Sequence, residues 1–529
     1  MERNISKIEM LIALCIFLLI AIPMSYLQSM RWIDGRTDTA YLSQVVENIA
    51  ARGMAVSQVN AGWDAVRKFL ALPANEVCEA PLTLSKNSEF NMLTSHCHFI
   101  LYAVAPLNKV IPVNILLPSL TVVGFLLFLF MLYALLRKNG IPIIGSLLFC
   151  LFVSVHPVWS QGMFGQIYVE RFFIPLGFLF IFTLTRSKQD MMWMIAGIFC
   201  ILISERVGVT LGSFMVGYAL LYSEKYIKKR LFIGCIGLVF IAISFLLLRF
   251  YIRNPDYNSF FANISANFNY PGFVDKLKVF VLFNLLFMGI FAIFDWRAFL
   301  LAAVAMMPNI LGNIGGAEKT GWLTHYHSLY FPILVWASVA GFIKWSNILS
   351  PRINKYFLYG FASFLIILCS STFLYHTEGN KSRFSLANLK ENVWARTGWM
   401  LYDLARNGNH SGIGSMLERY HKIQRIVPEH SAVTTAEEMM PALYQNRTIY
   451  YYPIGIDTAD YAVLQIRQEP DGRIIYTGAV SYLGEDNREK LDICLNERMR
   501  RSGYDLENPV VIGNTAILHR MGSKNSYSK

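Results

Sequence analysis

Residues 113–136 read VNILLPSLTVVGFLLFLFMLYALL, twenty-four positions without a charged side chain. As an α-helix rising ~1.5 Å per residue the run is ~36 Å long, against a bilayer hydrocarbon core of ~30 Å. Arg137 and Lys138 follow at once, and cations of this kind collect at the cytoplasmic end of a span. The stretch reads as a membrane-crossing helix that ends inside.

Ten further apolar runs share this character, near 8–28, 141–157, 170–185, 191–204, 206–222, 231–251, 277–294, 297–313, 327–343 and 356–375. The shortest, 191–204, is accepted because its neighbours require it. With 54% hydrophobic and 16% charged residues and a mean hydropathy of +0.40, the composition excludes an ordinary soluble domain. The expected fold class is an α-helical polytopic membrane protein of about 11 transmembrane helices. No small-residue cleavage site closes the first run, so it reads as an anchor rather than a removed signal.

Lys and Arg in short loops set the orientation. With the N-terminus inside, the cytoplasmic segments hold fourteen of them: Arg3, Lys7, Arg137, Lys138, Arg186, Lys188, Lys225, Lys228, Lys229, Arg230, Arg297, Lys344, Arg352 and Lys355. The short outer loops hold four: Arg206, Arg253, Lys276 and Lys319. The net charge of +12 is therefore largely a topology signal, and no motif supports a nucleic-acid partner. The expected localisation is the cytoplasmic (inner) membrane, multi-pass, with membrane lipids as partners.

Two large segments then fall outside, 29–112 and the tail from about 376. In the first, Leu42, Val45, Val46 and Ile49 recur at helical spacing, which predicts an amphipathic helix over 38–52 lying on the membrane surface or packed on the bundle. Asp38 is placed to cap it and Gly53 to close it. Residues 98–107 predict a second short helix. The tail is soluble in composition. Strands are predicted at 431–435, 448–452, 461–466, 473–478, 509–513 and 515–520, and helices at 389–424, 436–445 and 487–502. That is a small C-terminal extracytoplasmic α/β domain over 376–529, after a transmembrane domain over 1–375. Five of the eight cysteines lie in spans as small apolar filler. Cys78 and Cys97 share the outer loop as candidate disulfide partners in an oxidising compartment, which leaves Cys494 over.

On this topology Asp34, Asp38, His96, His98, Tyr168, Glu170, Arg171, Glu205, Arg206, Glu318, Lys319, His325, Tyr326 and His327 gather at outer span ends. A charge in lipid costs ~2.5–3.5 kcal/mol even on permissive scales, so such a gathering is a functional hypothesis by default. Each member has a plainer alternative. Asp38 is equally a helix cap, Glu170–Arg171 and Glu205–Arg206 are equally surface ion pairs, and His-Tyr-His at 325–327 is equally an interfacial belt. As a metal site His325 and His327 lack a third ligand, and His-Cys-His at 96–98 is weaker still.

These segments resemble a family of prokaryotic polytopic membrane proteins with a domain of unknown function, placed beside the GT-C glycosyltransferases. DTAYLSQVVENIAARG is similar to the family's Asp-Leu-Gly-Ile-Phe-Asp-Gln segment, with Asp38 and Gln44 on its Asp and Gln. SHCHFILYAVAPL resembles His-Phe-Ser-Pro-Ile-Leu-Tyr-Leu-Leu-Ala-Pro, with His96 on the histidine. GQIYVERFFIPLGF resembles Phe-His-Pro-Glu before an apolar span. There Glu170 matches and Tyr168 replaces the histidine. ISERVGVT resembles a Lys-Glu-Asp stretch in which Glu205 matches and Ser204 and Arg206 depart. LTHYHSLYFPIL resembles the His-Tyr segment before a late span. IVPEHSAVTTAEEMMPALYQNRTIYYYP looks like the family's strand–helix–strand unit after the membrane. The resemblance runs over nearly the whole chain.

The resemblance implies a GT-C-like fold and transfer of a sugar from a polyprenyl-phosphate carrier to a glycan or lipid acceptor, such as a surface polysaccharide, on the outer face of the membrane. A carboxylate takes the acceptor's proton, others stabilise an oxocarbenium-like sugar, and a cation steadies the lipid phosphate. Asp38 is the candidate base and Asp34 the second choice. Glu170 and Glu205 are placed to orient the acceptor, stabilise charge, or hold a divalent metal ion with Asp38, and that ion is the one candidate cofactor. Arg206, Arg253 and Lys319 are candidate phosphate partners, and Gln44, His96, Tyr168, His325, Tyr326 and His327 candidate substrate-binding groups. The alternatives are a carrier or flippase for a lipid-linked sugar, which would place charges at mid-span, and a non-catalytic GT-C-like assembly protein.

Overall fold

A computed structural model describes residues 7–32, 36–59, 61, 65–66, 79, 88–186, 190–222, 227–252, 284, 288–311, 325–349, 375–378, 381–384, 411–446, 448–469, 471–478 and 485–521. In chain order its longer helices are α1 (Lys7–Met30), α2 (Arg36–Arg52), α3 (Val113–Lys138), α4 (Ile143–Ser154), α5 (Phe173–Arg186), α6 (Asp190–Ile201), α7 (Val207–Leu221), α8 (Ile227–Phe250), α9 (Trp296–Leu311), α10 (Phe331–Leu349), α11 (Ser411–Ile426) and α12 (Glu485–Arg501). The chain divides into two compact units. One holds residues 1–28, 93–103 and 117–402, the other 29–92, 104–116 and 403–529.

The first unit is helical and apolar. Among the described residues, α1, α3 and α8 are long and apolar enough to cross a membrane, while α4, α6, α7 and Trp296–Met307 of α9 are apolar but shorter. The expected spans 277–294 (for the most part) and 356–375 lie outside the described residues. The 141–157 run shows why a continuous apolar stretch need not be one long helix. Pro142 precedes α4, which stops at Ser154, and Pro157 opens a separate short helix, Pro157–Phe164. A proline cannot donate the hydrogen bond that would carry one helix through. Long apolar side chains stand exposed along α1 (Ile8, Leu11, Leu19, Ile22) and α8 (Leu231, Leu238, Leu246), as helix faces in lipid do.

Glycines set the closest approach in this unit. A Cβ on Gly212 of α7 would lie 2.4 Å from the Gly237 carbonyl oxygen of α8, and one on Gly208 would lie 2.3 Å from Ser244 Oγ. Gly208 and Gly212 are a helical turn apart, the small-xxx-small arrangement that lets apolar helices touch backbone to backbone. Gly212→Ala is expected to destabilise the α7–α8 pair by about 1–3 kcal/mol, the cost of overpacking, read as a lowered midpoint of thermal unfolding in detergent. An unchanged midpoint would show that the helices do not rely on this contact.

Polar pairs tie the helix ends. Glu9 of α1 accepts from Arg137 Nε at 2.6 Å and Tyr133 Oη at 2.8 Å, both on α3. Lys229 of α8 stands 3.3 Å from Asp190 of α6, and Tyr222 after α7 donates to Asp295 before α9 at 3.2 Å.

In the second unit the tail forms an α/β fold. Besides the short pairs β1 (Val56–Ser57) with β2 (Phe90–Asn91), and in the first unit β3 (Tyr375–Glu378) with β4 (Lys381–Phe384), its strands are β5 (Ala432–Thr435), β6 (Thr448–Tyr451), β7 (Tyr461–Gln468), β8 (Ile474–Thr477), β9 (Val510–Ile512) and β10 (Thr515–His519). Sheet order is β6-β5-β7-β10-β9, with β8 on the far half of β7. β5 is parallel to β6 and β7, and the remaining pairs are antiparallel. All six strands expected in the tail are present within a residue or two. The turn Glu437–Met439 and the helix Met440–Leu443 make the β5–β6 crossover, and β5 is buried along its whole length, as a strand covered on both faces must be.

The same unit takes in α2. Its stripe Leu42, Val45, Val46 and Ile49 is buried and packs on 437–443, β1 and the 105–109 turn. Gln44 is the cross-link. Its Oε1 accepts from Ser57 Oγ (2.8 Å) and the N–H of Gln58 (3.1 Å) and Val59 (3.3 Å), and its Nε2 donates to the carbonyls of Tyr444 and Asn446, both at 3.4 Å. Gly53 ends the helix at φ 71°, as expected. Asp38 is not the cap, because α2 starts two residues earlier at Arg36 and Asp38 sits in its first turn. Neither Arg36 nor Thr37 resists helix, and a carboxylate in the first turn still meets the positive end of the macrodipole. The pairing of Cys78 with Cys97 is also corrected. Cys97 is a buried free thiol, and Cys494 is the disulfide-bonded cysteine. Cys97 belongs to the helical unit, where residues 96–100 are committed to another partner.

Candidate functional site

That partner is the turn between α6 and α7. The Ile100 N–H donates to the Leu202 carbonyl at 2.7 Å and His98 Nδ1 to the Ile203 carbonyl at 2.6 Å. The 96–100 segment is thereby laid along residues 202–205. Glu205, fully buried, closes the junction. Its Oε2 accepts from the Cys97 N–H at 3.0 Å and from Ser204 Oγ at 3.2 Å. Its Oε1 stands 3.6 Å from both His96 Nδ1 and Arg206 Nε.

The second carboxylate arrives on a different element. Glu170 lies in the buried turn Val169–Phe172 that leads into α5, with Oε1 3.6 Å from His98 Nε2. The imidazoles of His96 and His98 stack between the two carboxylates, ring centres 5.2 Å apart and planes 19° from parallel. His96, His98 and Glu170 each offer one ligand atom within 4.8 Å of the others.

Burial alone would raise the pKa of Glu205, yet the adjoining His96, Arg206 and His98 outweigh it and hold the carboxyl ionised, well below the usual carboxylate range. Burial also opposes charge on His96, where Glu205 and Glu170 together prevail and its pKa rises. On His98 burial prevails over Glu170 and the pKa falls. Two histidines two residues apart are thus driven in opposite directions, because one faces the better-solvated side and the ionised Glu205 carboxylate.

Around this group the same turn supplies Arg171, whose Nη1 donates to the Gln166 carbonyl and whose guanidinium lies 5.1 Å from the centre of the Tyr168 ring. Tyr168 Oη donates to Gln166 Oε1 at 3.0 Å. The turn His325–Leu329 packs on Val169–Phe172. Within it the buried His327 donates through Nδ1 to Tyr330 Oη at 2.9 Å, and Tyr330 donates to Asn284 Oδ1 at 3.1 Å.

Of the residues singled out in the sequence, His96, Glu170, Glu205 and Arg206 meet in this one group, with Tyr168 and His327 on the turns beside it. Asp38, exposed on α2, and Gln44 belong to the second compact unit. Asp34, Arg253 and Lys319, and the side chains of His325 and Tyr326, lie outside the described residues. Sequence reasoning undervalued His98. Its motif, two positions from His96, carried no visible third ligand, because Glu170 is seventy-two positions away.

Residues 76–508, well over half of the chain, match the model of a family described as "Predicted membrane protein (DUF2079)". The chain belongs to that family, a membrane domain of unknown function. The comparison with curated proteins gave no match.

Proposed function

Starting from membership of this membrane-protein family, we propose that the chain is a GT-C-like glycosyltransferase of the cytoplasmic membrane. It takes a sugar from a polyprenyl-phosphate carrier to a glycan or lipid acceptor. The observation that carries this reading is the convergence of Glu170, Glu205, His96, His98 and Arg206, from three distant segments, on the ends of apolar helices. The group sits at the start of α5 and α7 and the end of α6, whereas Arg186, Asp190 and Tyr222 mark the opposite ends of those helices. Charges at helix ends suit chemistry on an amphiphile whose tail stays in lipid and whose phosphate and sugar reach water. A carrier would need them at mid-span.

In this reading Glu205, held ionised, and Glu170 offer negative charge to a developing oxocarbenium ion. Arg206, partly exposed beside Glu205, offers a guanidinium to the leaving phosphate. The disulfide at Cys494 suits an oxidising compartment for the tail.

Comparing the surface glycans of deletion and parent strains identifies the acceptor, and a transfer assay with purified polyprenyl-phosphate sugars then tests the groups. Glu170→Gln and Arg206→Gln are each expected to lower transfer by about 100-fold, the range for a lost electrostatic stabiliser. Full transfer by both variants would remove this function. Movement of lipid-linked sugar across vesicles without transfer would favour the carrier.

A further inference from the structure

We propose that His96, His98 and Glu170 form a binding site for a tetrahedral divalent metal ion of the zinc type. The proposal stands independently of the glycosyl-transfer reading. His98 fixes the geometry. Its Nδ1 is 2.6 Å from the Ile203 carbonyl oxygen, which has no proton to give, so Nδ1 carries the hydrogen and Nε2 is the nitrogen left to meet an ion. That nitrogen faces Glu170 Oε1 across 3.6 Å, in a place where both side chains are buried. A divalent cation between the two would be held by both groups away from water, as a buried charge must be.

The distance discriminates further. At 3.6 Å the pair is too far apart for a hydrogen bond. Two ligands each about 2.1 Å from a tetrahedral ion lie about 3.4 Å from one another, close to the separation found. A hydrogen bond from a ligating imidazole's other nitrogen to a backbone carbonyl is also the usual device that aims such a ligand, and Ile203 provides it.

His96 completes the set, with a ligand atom within 4.8 Å of the other two and its ring stacked on His98. Glu205, 3.6 Å from His96 Nδ1, adds an orienting carboxylate behind the site. Two imidazoles and one carboxylate are a donor set that favours zinc over magnesium or calcium, which prefer all-oxygen shells. Three protein ligands leave the fourth position to water or to an oxygen of a bound molecule. The His96 side chain is 29% exposed, which gives the ion a way in.

The test uses the tag-free full-length protein in detergent, stripped with a chelator, re-equilibrated with Zn2+ and assayed by elemental mass spectrometry. About one equivalent per chain is expected, with a rise in unfolding temperature. Glu170→Gln, nearly isosteric, and His96→Gln at the open edge should each weaken retention by at least about 10-fold, since even a lost outer partner of a metal ligand costs that much. Cobalt substitution should give the intense visible absorption of a four-coordinate site in the parent and lose it in both variants. A parent chain that retains no zinc would overturn the proposal, as would variants that fold with parental helicity and hold zinc with parental affinity.

Discussion

Glu205→Leu is expected to cost the helical unit about 3–5 kcal/mol, the range for removing one member of a buried charge pair. Glu205 is the acceptor that binds the Cys97 N–H and the Ser204 hydroxyl, and its other oxygen lies between His96 and Arg206. A leucine of similar volume fills the space but returns none of these bonds, so a buried N–H loses its partner and two basic side chains lose their counter-charge. Glu205→Gln keeps an acceptor oxygen and should cost less, about 1–2 kcal/mol. Thermal unfolding in detergent orders the three proteins. Hydrogen exchange at His98 and Ile100, whose amides lie beside the junction, shows whether the 96–100 segment has come loose. Parental stability in the leucine variant would mean that the junction is held by apolar packing alone.

The second large effect is expected at Glu47 and depends on pH. Burial, reinforced by the like charge of Glu429, raises its pKa from 4.5 to about 7. The folded chain therefore keeps a proton that the unfolded chain has released between those two values. Stability conferred on the second unit falls as pH rises through that window, and above about 7 the full penalty of the charged carboxylate is present. A displacement of this size corresponds to roughly 3 kcal/mol, and partial contact with solvent reduces that to about 2. Glu47→Gln removes the titration. The variant should match the parent near pH 4 and exceed it by about 2 kcal/mol at pH 8, read from hydrogen exchange of the Leu42–Ile49 amides in α2. Equal protection at both pH values would show that Glu47 is solvated when charged.

Much of the architecture was legible because each signal was local. The run 113–136 became α3 because its length and lack of charge leave an internally bonded helix as the form its backbone can take in lipid. The six tail strands were readable from β-branched and aromatic runs between turns. The 141–157 run was misread as continuous, since hydropathy averages across Pro142 and Pro157 while the backbone does not. The start of α2 was assigned two residues too far in, at Asp38, because a capping preference cannot decide between nearby starts when burial of the stripe behind it drives the helix.

For the candidate site the division is similar. The chain order shows by itself that Glu170, Glu205, Arg206 and His96 stand at the ends of apolar segments, where a charge costs less than it would within them. Only the tertiary structure decided that Glu205 takes the Cys97 amide and that His98 turns Nε2 toward Glu170. It also decided that Gln44, a candidate for substrate, spends both ends of its amide on backbone and Ser57. Hydrophobicity and length act along the chain and can be summed from it, whereas a hydrogen bond or ligand set exists only when groups 72 or 108 positions apart are brought within a few ångströms.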